Sequence, residues 1–115
     1  MDIQKFYESI QGDYNGALSR LKNENILQKF VVKFLDDPSR DQLVQALNVS
    51  DYDAAFRAAH TLKGLSANFS FTSLERSSSL LTQALRAGAY ENVPKLAEQV
   101  LKDYEQIVSA IKDQQ

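Results

Sequence analysis

The sequence predicts an all-α protein: an up-down antiparallel four-helix bundle preceded by one or two additional short N-terminal helices. Three observations predict it. Apolar residues recur at the three- and four-residue spacing of a helix face, and no segment alternates as a strand would. Glycine (4) and proline (2) are scarce and unclustered, so little punctuates the chain into hairpins. Cap-forming residues stand ahead of most of the apolar stripes.

Taken in order, the first segment, about 2–11, carries Ile3, Phe6, Tyr7 and Ile10 and is interrupted by Gly12. Asp13 is placed to cap a short helix with Tyr14, Ala17, Leu18 and Leu21 on one side. Asn23 is placed to cap the next, about 24–35, whose stripe is Ile26, Leu27, Phe30, Val31, Phe34 and Leu35. Pro38 ends it, and Ser39 is the expected cap of a helix with Leu43, Ala46 and Leu47. Ser50 followed by Asp53 resembles a capping box opening a long helix, about 51–69; Thr72 with Glu75 repeats it and opens a helix to about Ala87, with Gly88 as its stop. Asn92 and Pro94 start the last helix, striped by Leu96, Val100, Tyr104, Ile107 and Ile111. The last three helices supply most of the bundle, and the 24–35 helix is the expected fourth member.

At 115 residues the chain is read as a single domain, 1–115, with one core. It is 43% hydrophobic and 24% charged, ordinary for a globular protein. A formal net charge of −2 argues against a nucleic-acid binder. With no cysteine there can be no disulfide, thiolate metal site or cysteine nucleophile, and a single histidine gives no zinc set. Residues Met1 to Phe6 lack the layout of a signal peptide, and no apolar run approaches the roughly 20 residues that span a bilayer. The expectation is a cytoplasmic monomer without a membrane segment. The start at Met1, ahead of a full set of helices, favours a stand-alone protein.

The single histidine, His60, falls in the middle of the 51–69 helix. At about 100° per residue, Ala55, Ala58, Leu62, Leu65 and Phe69 form a stripe between roughly 140° and 220° from it, so His60 points away from the core. Its own face holds Lys63, Gly64, Arg57, Phe56 and Ala67. Imidazole is a good nucleophile near neutral pH, and two cations beside it suit an anionic group. A glycine inside a helix costs about 1 kcal/mol relative to alanine, which makes sense if another molecule must approach the ring. Against this, a lone histidine on a helix is most often an ordinary boundary residue, Lys63 a solvated charge, and Phe56 an edge-of-core side chain. Phe30 and Phe34 are read as core. On the residues alone both readings stay open.

The run Ala59-His60-Thr61-Leu62-Lys63-Gly64-Leu65-Ser66-Ala67-Asn68-Phe69 resembles the His-x-Leu-Lys-Gly signature of histidine-containing phosphotransfer (HPt) domains. The likeness extends to Asp13 and Ala17–Leu21, to Phe30, Phe34-Leu35, Leu43 and Ala46-Leu47, and to Leu81 and Leu85-Arg86-Ala87-Gly88, so it covers nearly the whole chain. Two places depart from it, covering three residues: Ser70 stands where many members have glycine, and Thr82-Gln83 where many have Leu-Glu.

The resemblance implies a phosphoryl carrier of a two-component phosphorelay, without kinase activity of its own. His60 would take the phosphoryl group on Nε2 from a receiver-domain aspartate or a hybrid sensor histidine kinase and pass it to a response-regulator receiver. Lys63, Arg57, Gly64, Ala67 and Phe56 would stabilise the phosphoryl group or admit the partner. The chain itself would need no cofactor, Mg²⁺ being expected on the partner receiver. The chain has no phosphate-binding glycine loop of its own. The rival readings are an adaptor that binds receivers without chemistry and a hydrolase using His60 as general base, for which only Asp53, two turns away and better suited to capping, is at hand.

Overall fold

Seven α-helices, two short 3-10 turns and no strand make up the chain in the computed structural model, which describes all 115 residues. Helices α1 (Ile3–Ser9), α2 (Tyr14–Leu21) and α3 (Glu24–Lys33) are followed by a 3-10 turn at Phe34–Asp36. Then come α4 (Ser39–Asn48), α5 (Tyr52–Phe69), α6 (Thr72–Ala87), a second 3-10 turn at Tyr90–Asn92, and α7 (Val93–Asp113).

The helix starts follow local chemistry. Asp2, Asp13 and Asn23 cap α1, α2 and α3 by accepting from backbone N–H groups of the first turn, as in Asp13 Oδ1 to Gly16 N at 3.0 Å. Three expected caps are corrected. At α4 the capping group is Asp37, whose carboxylate accepts from both Ser39 N and Ser39 Oγ; Ser39 is already inside the helix and buried. At α5 the cap is Asp51, accepting from Ala54 N at 3.1 Å, while Ser50 sits in the left-handed region (φ 55°) as part of the turn leaving α4. At α6 Phe71 holds the cap position without a side-chain bond, and Thr72 is the first helical residue. In each case the group found at the cap lies one or two residues from the one expected, because several residues able to cap crowd each link. Gly88 ends α6 in the left-handed conformation the sequence requires.

Helices α4 to α7 pack in chain order, each folded back on the one before by a short link, and α5 with α6 is the most extensive pair. Small buried residues on both helices allow this approach: Ala55, Ala58, Ala59 and Ser66 on α5, and Ser77, Ser78 and Thr82 on α6. The hydroxyls do not stay unpaired there. Each bonds back to a carbonyl of its own helix, as Thr82 Oγ1 to Ser78 O at 2.7 Å. Besides α6, the helix packed most extensively on α5 is α4, not the 24–35 helix expected as the fourth member of the bundle. Helix α3 joins the core through Leu27 and Val31 and through the turn that follows it, where Phe34 packs on Tyr104 of α7 with ring centroids 4.9 Å apart.

One cluster of 26 buried apolar residues runs through all seven helices. Leu27, Leu43, Leu62, Leu74 and Leu81 are completely enclosed, and truncating such a side chain to alanine costs about 2–5 kcal/mol. Two stripe assignments are corrected. Ile26 and Phe30 lie on the outer face of α3, more than two-fifths exposed, because α3 is covered on one side only. Leu65 is half-buried, and its expected place in the core is taken by Ala59 and Ser66, which centres the buried face of α5 more squarely between its neighbours.

Candidate functional site

His60 is exposed midway along α5, on the side away from the buried stripe. Ala55, Ala58, Ala59, Leu62, Ser66 and Phe69 hold the helix to the core, and that fixed face aims the imidazole outward. The ring makes no hydrogen bond. Its aromatic neighbour is Phe56, one turn earlier, whose ring lies nearly parallel to it at 10° with centroids 5.9 Å apart. The structure therefore brings His60 and Phe56 together.

Lys63 is half-buried one turn further on, and Arg57 is exposed one turn back. The only ion pair in the chain is Arg40 with Asp41, so neither cation beside His60 is neutralised by a carboxylate. They occupy different flanks. Arg57 lines an open groove of about 470 Å³ between α4 and α5, with Gln42, Gln45, Val49 and Thr61. Lys63 and Phe56 fall on the other side, towards α6, about 120° around the helix from Arg57. The anion-facing pair of the sequence reading is thus a pair that brackets the histidine.

Gly64 is exposed, and a Cβ built on it would meet nothing within 4 Å. Close helix packing is therefore not what this glycine serves. Ala67, half-buried, continues the same low-relief strip. Phe30 is exposed on α3 and lines a shallow depression with Phe34, Leu65 and Phe69, apart from the strip that holds His60 and Gly64.

Sequence reasoning missed Arg86. Its guanidinium carbon lies 5.3 Å from the centroid of the Phe56 ring, so Arg86 of α6 and His60 of α5 both border one phenyl group. One turn below, Tyr52 and Tyr90 stack at 3.9 Å and 8°. The signal was present in the α5–α6 hairpin: Arg86 and Phe56 stand nearly equally far in sequence from the link at Ser70 and Phe71, as Tyr90 and Tyr52 do.

No group of three or more His, Cys, Asp or Glu side chains gathers anywhere in the chain as a metal would need. No helix is long and apolar enough to cross a membrane.

This bundle, with one outward histidine, a lysine three residues on and an open glycine beside it, has a counterpart among known domains: the Hpt domain family model matches residues 26–110. The chain belongs to the Hpt domain family. Hpt domains carry phosphoryl groups in two-component phosphorelays and are carriers rather than kinases; their partners are receiver domains and sensor kinases. No curated protein and no solved structure matches the chain. Within the matched span, Ser70 occupies the left-handed position (φ 55°, ψ 41°) that ends α5. That backbone explains why glycine is common there. The match begins at residue 26 and so leaves out α1 and α2.

Proposed function

We propose that His60 is the phosphoryl-carrying residue, shuttling a phosphoryl group to and from the aspartate of a receiver domain. The observation that carries this reading is the open space at Gly64 beside an untethered, exposed imidazole. A mid-helix glycine costs about 1 kcal/mol against alanine, and nothing in the chain's own packing uses it. Room for a partner's active site does.

In the forward step the Nε2 lone pair of neutral His60 attacks the phosphorus of the partner's acyl phosphate in line. The P–N bond forms, the P–O bond breaks, and aspartate leaves as carboxylate while the Nδ1 proton stays on the ring. The reverse step passes the group to another receiver. Such a transfer depends on positioning and charge neutralisation more than on further covalent chemistry. Lys63 lies on the flank where its ammonium can meet the phosphoryl oxygens, and Arg57 serves the opposite flank, towards the α4 groove, where it meets the partner rather than the phosphoryl group. The partner brings the aspartate and its Mg²⁺.

The test is incubation of the chain with a phosphorylated receiver domain. An acid-labile, base-stable phosphate is expected on the wild type and none on His60→Gln. Labelling of His60→Gln at the wild-type rate would overturn the reading. Lys63→Ala is expected to slow transfer by about tenfold or more, as loss of one charge-stabilising group does, with helicity unchanged.

A further inference from the structure

We infer that Arg86 is a positioning residue for His60, acting through the ring of Phe56. The inference rests on His60 being the phosphoryl carrier and adds how its ring is held. In many sites a histidine is oriented by a hydrogen bond to its second nitrogen. Here neither ring nitrogen has a partner, and the imidazole is exposed on an exposed helix face. The terminal torsion of histidine is intrinsically broad, so a free ring samples orientations in which Nε2 does not point along the helix normal.

Two contacts restrict it. The Phe56 ring runs nearly parallel to the imidazole, 10° apart in plane, and denies it the volume on that side. Phe56 is in turn held by Arg86, which has no carboxylate and no hydrogen-bond acceptor and whose guanidinium lies over the face of that ring. Arg86 comes from the last turn of α6, whose end is fixed by the Gly88 turn, so the guanidinium is delivered from a second, independent helix. The stacked Tyr52 and Tyr90 one turn below tie the segment after α6 to the start of α5 and keep the two helix ends in register. A cation over an aromatic face at an exposed site contributes about 0.5–1 kcal/mol, which converts to a factor of about two to five in a rate. That is the size expected of an orienting contact.

The alternative role for an unpaired arginine near this face is direct neutralisation of the phosphoryl group, and the two roles separate in a double-variant cycle. The full chain is labelled with phosphoramidate, a small donor that needs no partner surface, and with a phosphorylated receiver. Arg86→Ala and Phe56→Ala are each expected to slow labelling by about two- to fivefold, Arg86→Lys to recover most of the rate, and the double variant to be no slower than Phe56→Ala alone. The nuclear Overhauser contact between the Phe56 and His60 rings, read on the unphosphorylated protein, is expected to weaken in Arg86→Ala. Circular dichroism monitors folding throughout. An Arg86→Ala effect that persists in full on the Phe56→Ala background, or an unchanged ring contact, overturns the positioning role. Wild-type protein that takes no label from either donor overturns the carrier reading itself, whereas a labelled wild type with an equally fast Arg86→Ala overturns this inference alone.

Discussion

At the C-terminal end of α5, around Ser70, the polar groups are tied down by hydrogen bonds; at the middle of the same helix, the side chains of His60, Lys63 and Arg57 make none. The Ser70 turn receives Asp13 N on Ser70 O at 3.0 Å, Tyr7 Oη on Phe69 O at 2.8 Å, Arg20 Nε on Asn68 O at 2.9 Å and Arg20 Nη2 on Ser70 Oγ. His60, Lys63 and Arg57 receive nothing comparable, and the nearest glycine faces open space. The glycines state the contrast most sharply. A Cβ on Gly12 would stand 2.9 Å from Ser70 O and 2.9 Å from Tyr7 Cδ1, whereas one on Gly64 would meet nothing. Rigidity is concentrated where α1 and α2 grip the helix, and clearance where a partner would come.

The largest effect expected from this contrast is at Gly12. Gly12→Ala forces the backbone of the Ser70 turn or the Tyr7 ring to move, and overpacking of that kind costs about 1–3 kcal/mol. At about 4 °C per kcal/mol for a domain of this size, the melting temperature should fall by several degrees. A melting temperature equal to that of wild type would remove the claim that α1 and α2 are locked onto α5.

The grip on Ser70 itself is the next step down. A non-glycine residue in the left-handed region costs about 1 kcal/mol, and Arg20 offsets it with its bonds to Ser70 Oγ and Asn68 O. Ser70→Gly is therefore expected to be close to neutral in the wild type, Arg20→Ala to destabilise by about 1–2 kcal/mol, and Ser70→Gly to recover about 1 kcal/mol of that on the Arg20→Ala background. Urea melts of the four proteins give the coupling directly. Strictly additive effects would mean that Arg20 holds the turn only through Asn68.

Two tyrosines, Tyr7 at this turn and Tyr104 beside Asp37, set an alkaline limit. Burial pushes the Tyr7 hydroxyl above the ordinary tyrosine range, and burial beside Asp37 does the same for Tyr104. A tyrosine whose folded pKa is raised contributes stability that is whole below its unfolded value, about 10, and is lost as pH climbs from there towards the folded value. Stability in urea should be flat from pH 8 to about 9.5 and fall above 10. Tyr7→Phe should make that fall shallower while lowering the plateau by about 1 kcal/mol, the worth of one hydrogen bond.

How much of this was legible before folding follows the range of each interaction. The caps at Asp13 and Asn23 and the stop at Gly88 were readable because they act within one turn. The outward aim of His60 was readable because helical periodicity alone fixes it. The caps at Asp37 and Asp51 were displaced because several suitable residues crowd the same links. Phe30 was read as core because periodicity cannot say how many neighbours cover a helix. Arg86 and Arg20 were missed for another reason: each acts on a residue about thirty or fifty positions away. For Arg86 the spacing about the α5–α6 link carried the signal, but only once those two helices are paired, and for Arg20 no pattern within one turn points to Ser70.

The smallest stability effect has the opposite sign and tests the open side of the comparison. Gly64→Ala adds a methyl group where the chain places no atom within 4 Å, in a helix whose backbone already suits alanine. It should raise stability by about 0.5–1 kcal/mol, through helix propensity and a less free unfolded chain. On the proposed function the same methyl intrudes on the partner, so transfer from a phosphorylated receiver should slow while labelling by phosphoramidate stays near the wild-type rate. A destabilised Gly64→Ala would mean that the glycine serves the fold after all. A stabilised variant with unimpaired transfer would move the partner's docking surface off this strip. Gain of stability together with partner-specific loss of rate is the outcome that ties the glycine to the approach of a second protein, since no requirement internal to the bundle produces both.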